Sequence, residues 1–130
     1  MAGSPQRVLY VEDEPDIQAV AKLALEMIGG MVVRLCSSGQ EALDCVADFA
    51  PDVLLLDVMM PGMDGPSTLR AMRERSDLVG LPVIFMTAKV QPDEVASYQA
   101  LGALGVIAKP FDPMTLADQV RGLWVGRPSD

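Results

Sequence analysis

The sequence predicts an α/β fold built on a five-stranded parallel sheet with helices on both faces. Three observations carry that prediction. Five short apolar runs alternate with five longer segments of helical pattern. Four of the runs are almost continuously apolar, as strands buried on both faces of a parallel sheet are. Helix start signals stand between the runs.

The first run is Val8-Leu9-Tyr10-Val11. An acidic cluster, Glu12-Asp13-Glu14, follows it, and Pro15 sits in the first turn of the first helix, which stops at Gly29-Gly30. The second run, Met31 to Leu35, carries Arg34, which predicts a place at a sheet edge. Ser38-Gly39-Gln40-Glu41 has the spacing of a capping box and opens the second helix, which ends before Pro51. The third run is Val53-Leu54-Leu55-Leu56. Pro61-Gly62-Met63-Asp64-Gly65 then reads as a turn, and Pro66-Ser67 begin the third helix. Val83-Ile84-Phe85-Met86 is the fourth run, with Pro92-Asp93-Glu94 opening a helix that stops at Gly102. The last run is Gly105-Val106-Ile107-Ala108. Asp112-Pro113, a cap followed by a proline at the first helical position, predicts the start of the fifth helix. Consecutive β-then-α units of this kind require right-handed crossovers.

Composition narrows the function. The 130 residues suit one domain, 1–130, and the tail Gly126-Arg127-Pro128-Ser129-Asp130 is too short for a second. Net charge is -8, so no basic face is expected and direct nucleic-acid binding is not predicted. No apolar stretch reaches the length of a membrane span, and the start MAGSPQR lacks the apolar centre of a signal peptide, so a cytoplasmic location is expected. Cys36 and Cys45 fit neither a zinc site nor a C-x-x-C pair and read as reduced, partly buried thiols. The chain has no histidine. Serine–histidine and cysteine–histidine catalysis are excluded, and a phosphohistidine would have to sit on another polypeptide or domain.

In open α/β sheets, sites form beyond the carboxyl ends of the strands. Here those ends carry Glu12-Asp13, Asp57, Thr87-Ala88 and Lys109-Pro110. Three carboxylates gathered there repel one another, and each loses hydration. A hard divalent cation relieves both costs, and oxygen ligands on a shallow rim suit Mg2+. Lys109 can pair with an oxygen of a phosphoryl group, and the Thr87 hydroxyl and Ala88 N–H can donate to another. That leaves Asp57 as a nucleophile able to form an aspartyl-phosphate.

Four segments, VLYVEDEPD, VLLLDVMMPGMDG, VIFMTA and KPF, resemble in order the signature segments of response-regulator receiver domains. The resemblance runs from about Arg7 to about Trp124, and it implies a flavodoxin-like sheet of order 2-1-3-4-5. It also implies that Glu12, Asp13, Asp57 and the main-chain carbonyl of Met59 hold Mg2+. Asp57 would be the phosphoacceptor, Thr87 the switch hydroxyl and Lys109 the phosphoryl-holding lysine, with a cis Lys109-Pro110 bond. A phosphohistidine on a histidine kinase or histidine phosphotransfer protein would be the donor. The implied activity is self-catalysed phosphotransfer and aspartyl-phosphate hydrolysis, with no turnover of an external substrate. Output would pass to a protein partner across the fourth helix, fifth strand and fifth helix, including Tyr98, Gln99 and Val106. Val106 departs from the family, which has an aromatic residue three positions before the lysine. Valine has one dominant χ1 rotamer and little to swing.

A phosphorylation-independent pseudo-receiver is the alternative, and the five filled positions argue against it. An aspartate-nucleophile phosphatase would carry Asp-x-Asp, whereas this chain has Asp57-Val58-Met59. A flavin carrier needs a first loop that accepts phosphate, which Glu12-Asp13-Glu14 would repel.

Overall fold

A computed structural model describes residues 4–126. The first residues of MAGSPQR and nearly all of the tail from Gly126 lie outside them. Five parallel strands form one sheet in the order β2-β1-β3-β4-β5. They are β1 (Arg7–Val11), β2 (Val32–Cys36), β3 (Val53–Asp57), β4 (Val83–Thr87) and β5 (Gly105–Ala108). The helices are α1 (Pro15–Leu23), α2 (Gly39–Phe49), α3 (Gly65–Arg73), α4 (Pro92–Ala100) and α5 (Leu116–Val125).

The apolar runs are strands because each can be buried on both sides, and all five residues of β3 and of β4 are buried. Alternation along the strands divides the core into two layers. Val8, Tyr10, Leu55 and Met86 pack with α1 and α5 residues such as Ala21, Val120 and Trp124. Leu9, Leu54, Leu56 and Phe85 pack with α2 and α3 residues such as Val46 and Met72. Each such aliphatic side chain contributes about 1.5–3 kcal/mol on burial. Arg34 lies exposed on β2, the edge strand the charge predicted.

Three local expectations are corrected. The fifth helix starts at Leu116, not at Asp112-Pro113. Asp112 Oδ1 instead accepts from Met114 N–H at 2.9 Å, closing a turn ahead of the helix. In the second helix Ser38 Oγ accepts from Glu41 N–H at 3.1 Å, but the Glu41 carboxylate reaches Ser37 N–H at 2.8 Å rather than that of Ser38, so the box is displaced by one residue. Cys36 is fully buried and Cys45 nearly so, rather than partly, with sulfurs 3.2 Å apart, and burial pushes the Cys36 thiol up. Two elements were not foreseen. A π-helical segment, Ala24–Ile28, extends α1, and a 3-10 turn, Ser76–Leu78, precedes β4.

Candidate functional site

The parallel register sets the carboxyl ends of β1, β3, β4 and β5 side by side. Val11 pairs with Leu56, Asp57 with Met86 and Thr87 with Ala108. Asp57 closes β3, Thr87 closes β4, and Lys109 follows β5. All three open onto one basin of about 260 Å3 with Glu12, Asp13, Met59 and Ala88. A larger depression, about 410 Å3, lies away from this rim beside Ala50, Leu81 and Pro82, with Asp77 as its only charged residue.

Loop chemistry brings the rim close. Gly65 N–H donates to Val58 O at 3.0 Å, which folds the loop after β3 back on itself. A Cβ at Gly65 would stand 2.6 Å from the Asp57 carbonyl oxygen, so only glycine lets α3 begin there. Asp64 caps α3 through Ser67 N–H at 2.8 Å, and that hydrogen bond holds its carboxyl below the usual range.

The electrostatic centre is Lys109. Its ammonium donates to Glu12 Oε1 at 2.9 Å and to Asp57 Oδ1 at 3.2 Å. Glu12 is fully buried and Asp57 is 3% exposed, while Asp13 is half-buried. Burial above all, then the charge of Glu12, pushes the Asp57 carboxyl up to about 6, against the pull of Lys109. Burial disfavours the charged form of Lys109, but its bond to Glu12 and the charge of Asp57 outweigh that and raise its pKa. At neutral pH Asp57 is therefore ionised in the main and Lys109 is cationic.

One carboxylate oxygen each from Glu12, Asp13 and Asp57 lies within 4.8 Å of the others. A metal ion taken here meets three carboxylate ligands, and oxygen ligands suit hard cations. Thr87 Oγ1 accepts from Lys89 N–H at 3.1 Å, which leaves its own proton free to donate into the basin. Met59, which lines the basin, is 71% exposed, and Lys89, next to Ala88 in the chain, is exposed too. The Lys109-Pro110 bond is cis, as the resemblance implied.

The residues singled out from the sequence thus share one basin. On the predicted output face the grouping is looser. Gln99 is exposed, Val106 is half-buried, and the Tyr98 ring is turned onto Phe85 with centroids 5.1 Å apart. Two residues escaped the sequence reading. Tyr10 OH donates to Glu12 Oε1 at 3.2 Å, and Gln18 Nε2 donates to the Glu12 carbonyl. The signal for Tyr10 was available: two residues before Glu12 on a strand places it on the same face.

Residues 8–121 match the family described as the response regulator receiver domain. The chain is 40% identical over 121 residues to the transcriptional regulatory protein TrcR of Mycobacterium tuberculosis, covering 93% of this chain and 46% of TrcR. It is 36% identical to the response regulator Rre1 of Synechocystis, covering 93% and 52%. The chain therefore spans about half the length of these curated relatives. Among solved structures, the chemotaxis protein CheY4 of Vibrio cholerae superposes with a TM-score of 0.83 at 30% identity, covering 91% of this chain and 98% of that one. A response regulator from Chloroflexus aurantiacus gives 0.82 at 30% identity, covering 94% and 99%.

Proposed function

The chain belongs to the response regulator receiver domain family, and from that premise we propose that it takes a phosphoryl group onto Asp57 from a phosphohistidine donor and later hydrolyses it. The observation that carries this reading is the Lys109 ammonium, 3.2 Å from a carboxylate that closes a buried strand beside two further acids.

An Asp57 oxygen attacks phosphorus, the phosphorus–nitrogen bond to the donor imidazole breaks, and the imidazole leaves as the neutral ring after taking a proton from solvent. Lys109 then follows the phosphoryl oxygens, and the Thr87 hydroxyl and the Ala88 N–H donate to them. Glu12, Asp13, Asp57 and the Met59 carbonyl would hold Mg2+, since they supply only oxygen at a rim with room for water. When bound, that ion neutralises charge on the group in transfer. Donors would be a histidine kinase or a histidine phosphotransfer protein. The response would reach a protein partner across α4, β5 and α5. The test is transfer of label from phosphorylated histidine kinases of the source organism. Labelling of Asp57 by one of them, lost in Asp57→Asn, is the expected result. Labelling that survives the substitution overturns the assignment.

Metal binding has its own readout. Mg2+ should raise the melting temperature, because the folded site binds it and an unfolded chain does not. At ten times its Kd the gain is about 1.4 kcal/mol, or about 4 °C for a domain of this size. Asp13→Ala should remove most of it. A parent melting temperature that ignores millimolar Mg2+ would count against the acidic cluster as a metal site.

Lifetime should depend on Met59. Hydrolysis needs a water in line with the acyl-phosphate bond, and the exposed Met59 and Lys89 would flank its approach. A thioether cannot orient water and a long cation can fold over the phosphoryl group, so slow self-dephosphorylation is expected. Met59→Asn should accelerate phosphate release roughly tenfold or less, as an amide can hold the attacking water. Phosphate release timed after donor removal would show it, and an unchanged or slower rate would place the gate elsewhere.

A further inference from the structure

Tyr10 has no part in the chemistry above, yet its hydroxyl is the second donor to the oxygen that Lys109 grips. Tyr10 is fully buried on β1, between Leu35 of β2 and Leu55 of β3. Glu12 follows β1 directly, and the Tyr10 hydroxyl meets Glu12 Oε1 at 3.2 Å, the same atom that Lys109 Nζ meets at 2.9 Å. Oε2 of Glu12 is held separately, by Glu14 N–H at 3.2 Å. Glu12 is 0% exposed, so solvent cannot replace a donor that leaves.

Phosphorylation changes what Lys109 must do. Acyl-phosphate formation removes the charge from Asp57 and sets the phosphoryl oxygens two bonds further out. An ammonium that follows them draws away from Glu12. Without a second donor, Oε1 would then lose its last hydrogen bond, with only a metal ion on the acidic cluster to offset its charge, and that cost would hold Lys109 back. We propose that Tyr10 is a positioning residue for phosphoryl capture: its hydroxyl keeps Glu12 Oε1 hydrogen-bonded while Lys109 moves to the phosphoryl group. The proposal rests on the reading of Lys109 as the phosphoryl-holding lysine.

The test compares the parent and Tyr10→Phe, each as the full chain, with two titrations followed by calorimetry. One uses Mg2+ alone, and the other uses beryllofluoride, an acyl-phosphate mimic, in saturating Mg2+. Tyr10→Phe should weaken beryllofluoride about tenfold, the value of one hydrogen bond to a charged group, and change the Mg2+ Kd by less than about threefold. A hydroxyl that only supports the fold would weaken both together, and that result overturns the proposal. In a Glu12→Asp background the shortened carboxylate withdraws from the phenol. Adding Tyr10→Phe there should cost nothing further, whereas an undiminished loss would show that the hydroxyl does not act through Glu12. A parent that takes up no beryllofluoride overturns the phosphoacceptor reading and this inference together. A parent and a Tyr10→Phe variant that bind it equally overturn the inference alone.

Discussion

Asp57→Asn is expected to carry no acid-labile phosphate after incubation with Mg2+ and a small acyl-phosphate donor, and to melt at a higher temperature than its parent at neutral pH. The first result follows from chemistry, since an amide oxygen is no nucleophile toward phosphorus. The second follows from charge. Asp57 is nearly fully buried, and burial and Glu12 raise its carboxyl from an ordinary 3.8 to about 6. A folded-state value above the unfolded one means that stability is intact below about pH 4 and falls as pH climbs through 6. At pH 7 the parent therefore bears the full cost of an ionised Asp57, on the order of 1–3 kcal/mol. The amide removes that cost. It also takes a partner from Lys109, which keeps Glu12 at 2.9 Å. The expected gain is about 3–10 °C in buffer without divalent cations. Its pH dependence is the sharper check, because the difference between variant and parent should shrink toward zero as pH falls from 7 to 4. A difference that does not vary with pH would show that Asp57 is not the carboxyl under strain.

The residues of this site were legible as types, and their relations were not. Asp57, Thr87 and Lys109 could be read because each ends an apolar run, and a parallel sheet gathers strand ends on one edge. Arg34 placed β2 at the sheet edge for a similar reason, as one charge in an apolar run needs an exposed face. What lay beyond reach was direction. The side chain of Glu12 takes its bearing from the register of β1, and only then does it emerge as the buried partner of Lys109. The spacing of Tyr10, two residues before Glu12, could have paired them, but an aromatic residue in an apolar run reads as core, and its ring is core while its hydroxyl is not.

Helix boundaries failed where local and tertiary preferences diverge. Asp112-Pro113 has the chemistry of a helix start, but Asp112 spends its carboxylate on the Met114 N–H. The helix begins only where Leu116, Ala117 and Val120 can reach the sheet, so burial outweighs the local cap. The π segment of α1 had no signal at all. Leu23, Leu25, Met27 and Ile28 are all apolar, yet only Leu25 among them is buried, so the pattern could not show the widened turn that Gly29 N–H closes on Ala24 O at 3.2 Å.

Lys109→Ala separates these electrostatics from the chemistry, and its effect on the resting protein should be large. The substitution strips Glu12 of its cation while leaving the carboxylate wholly buried, and it strips Asp57 as well. Removing one partner of a buried ion pair costs several kcal/mol, and the Lys109 side chain is 19% exposed, which lowers the figure to about 2–3 kcal/mol. The melting temperature without divalent cations should fall by about 6–10 °C. Millimolar Mg2+ should recover more stability in the variant than it adds to the parent, because the variant holds three carboxylates and no internal cation. Some phosphorylation should persist, since the proposed nucleophile, Asp57, is intact. The response to it should stay local: with no ammonium to follow the phosphoryl oxygens, β5 is not pulled toward the site. Amide NMR shifts on phosphorylation should then cluster around Asp57 and Thr87 and leave α4 and β5 largely still. A variant that keeps the parent's melting temperature would show that Lys109 does not offset the buried charge of Glu12. A full shift pattern across α4 and β5 would show that the lysine is not the link between the site and that face.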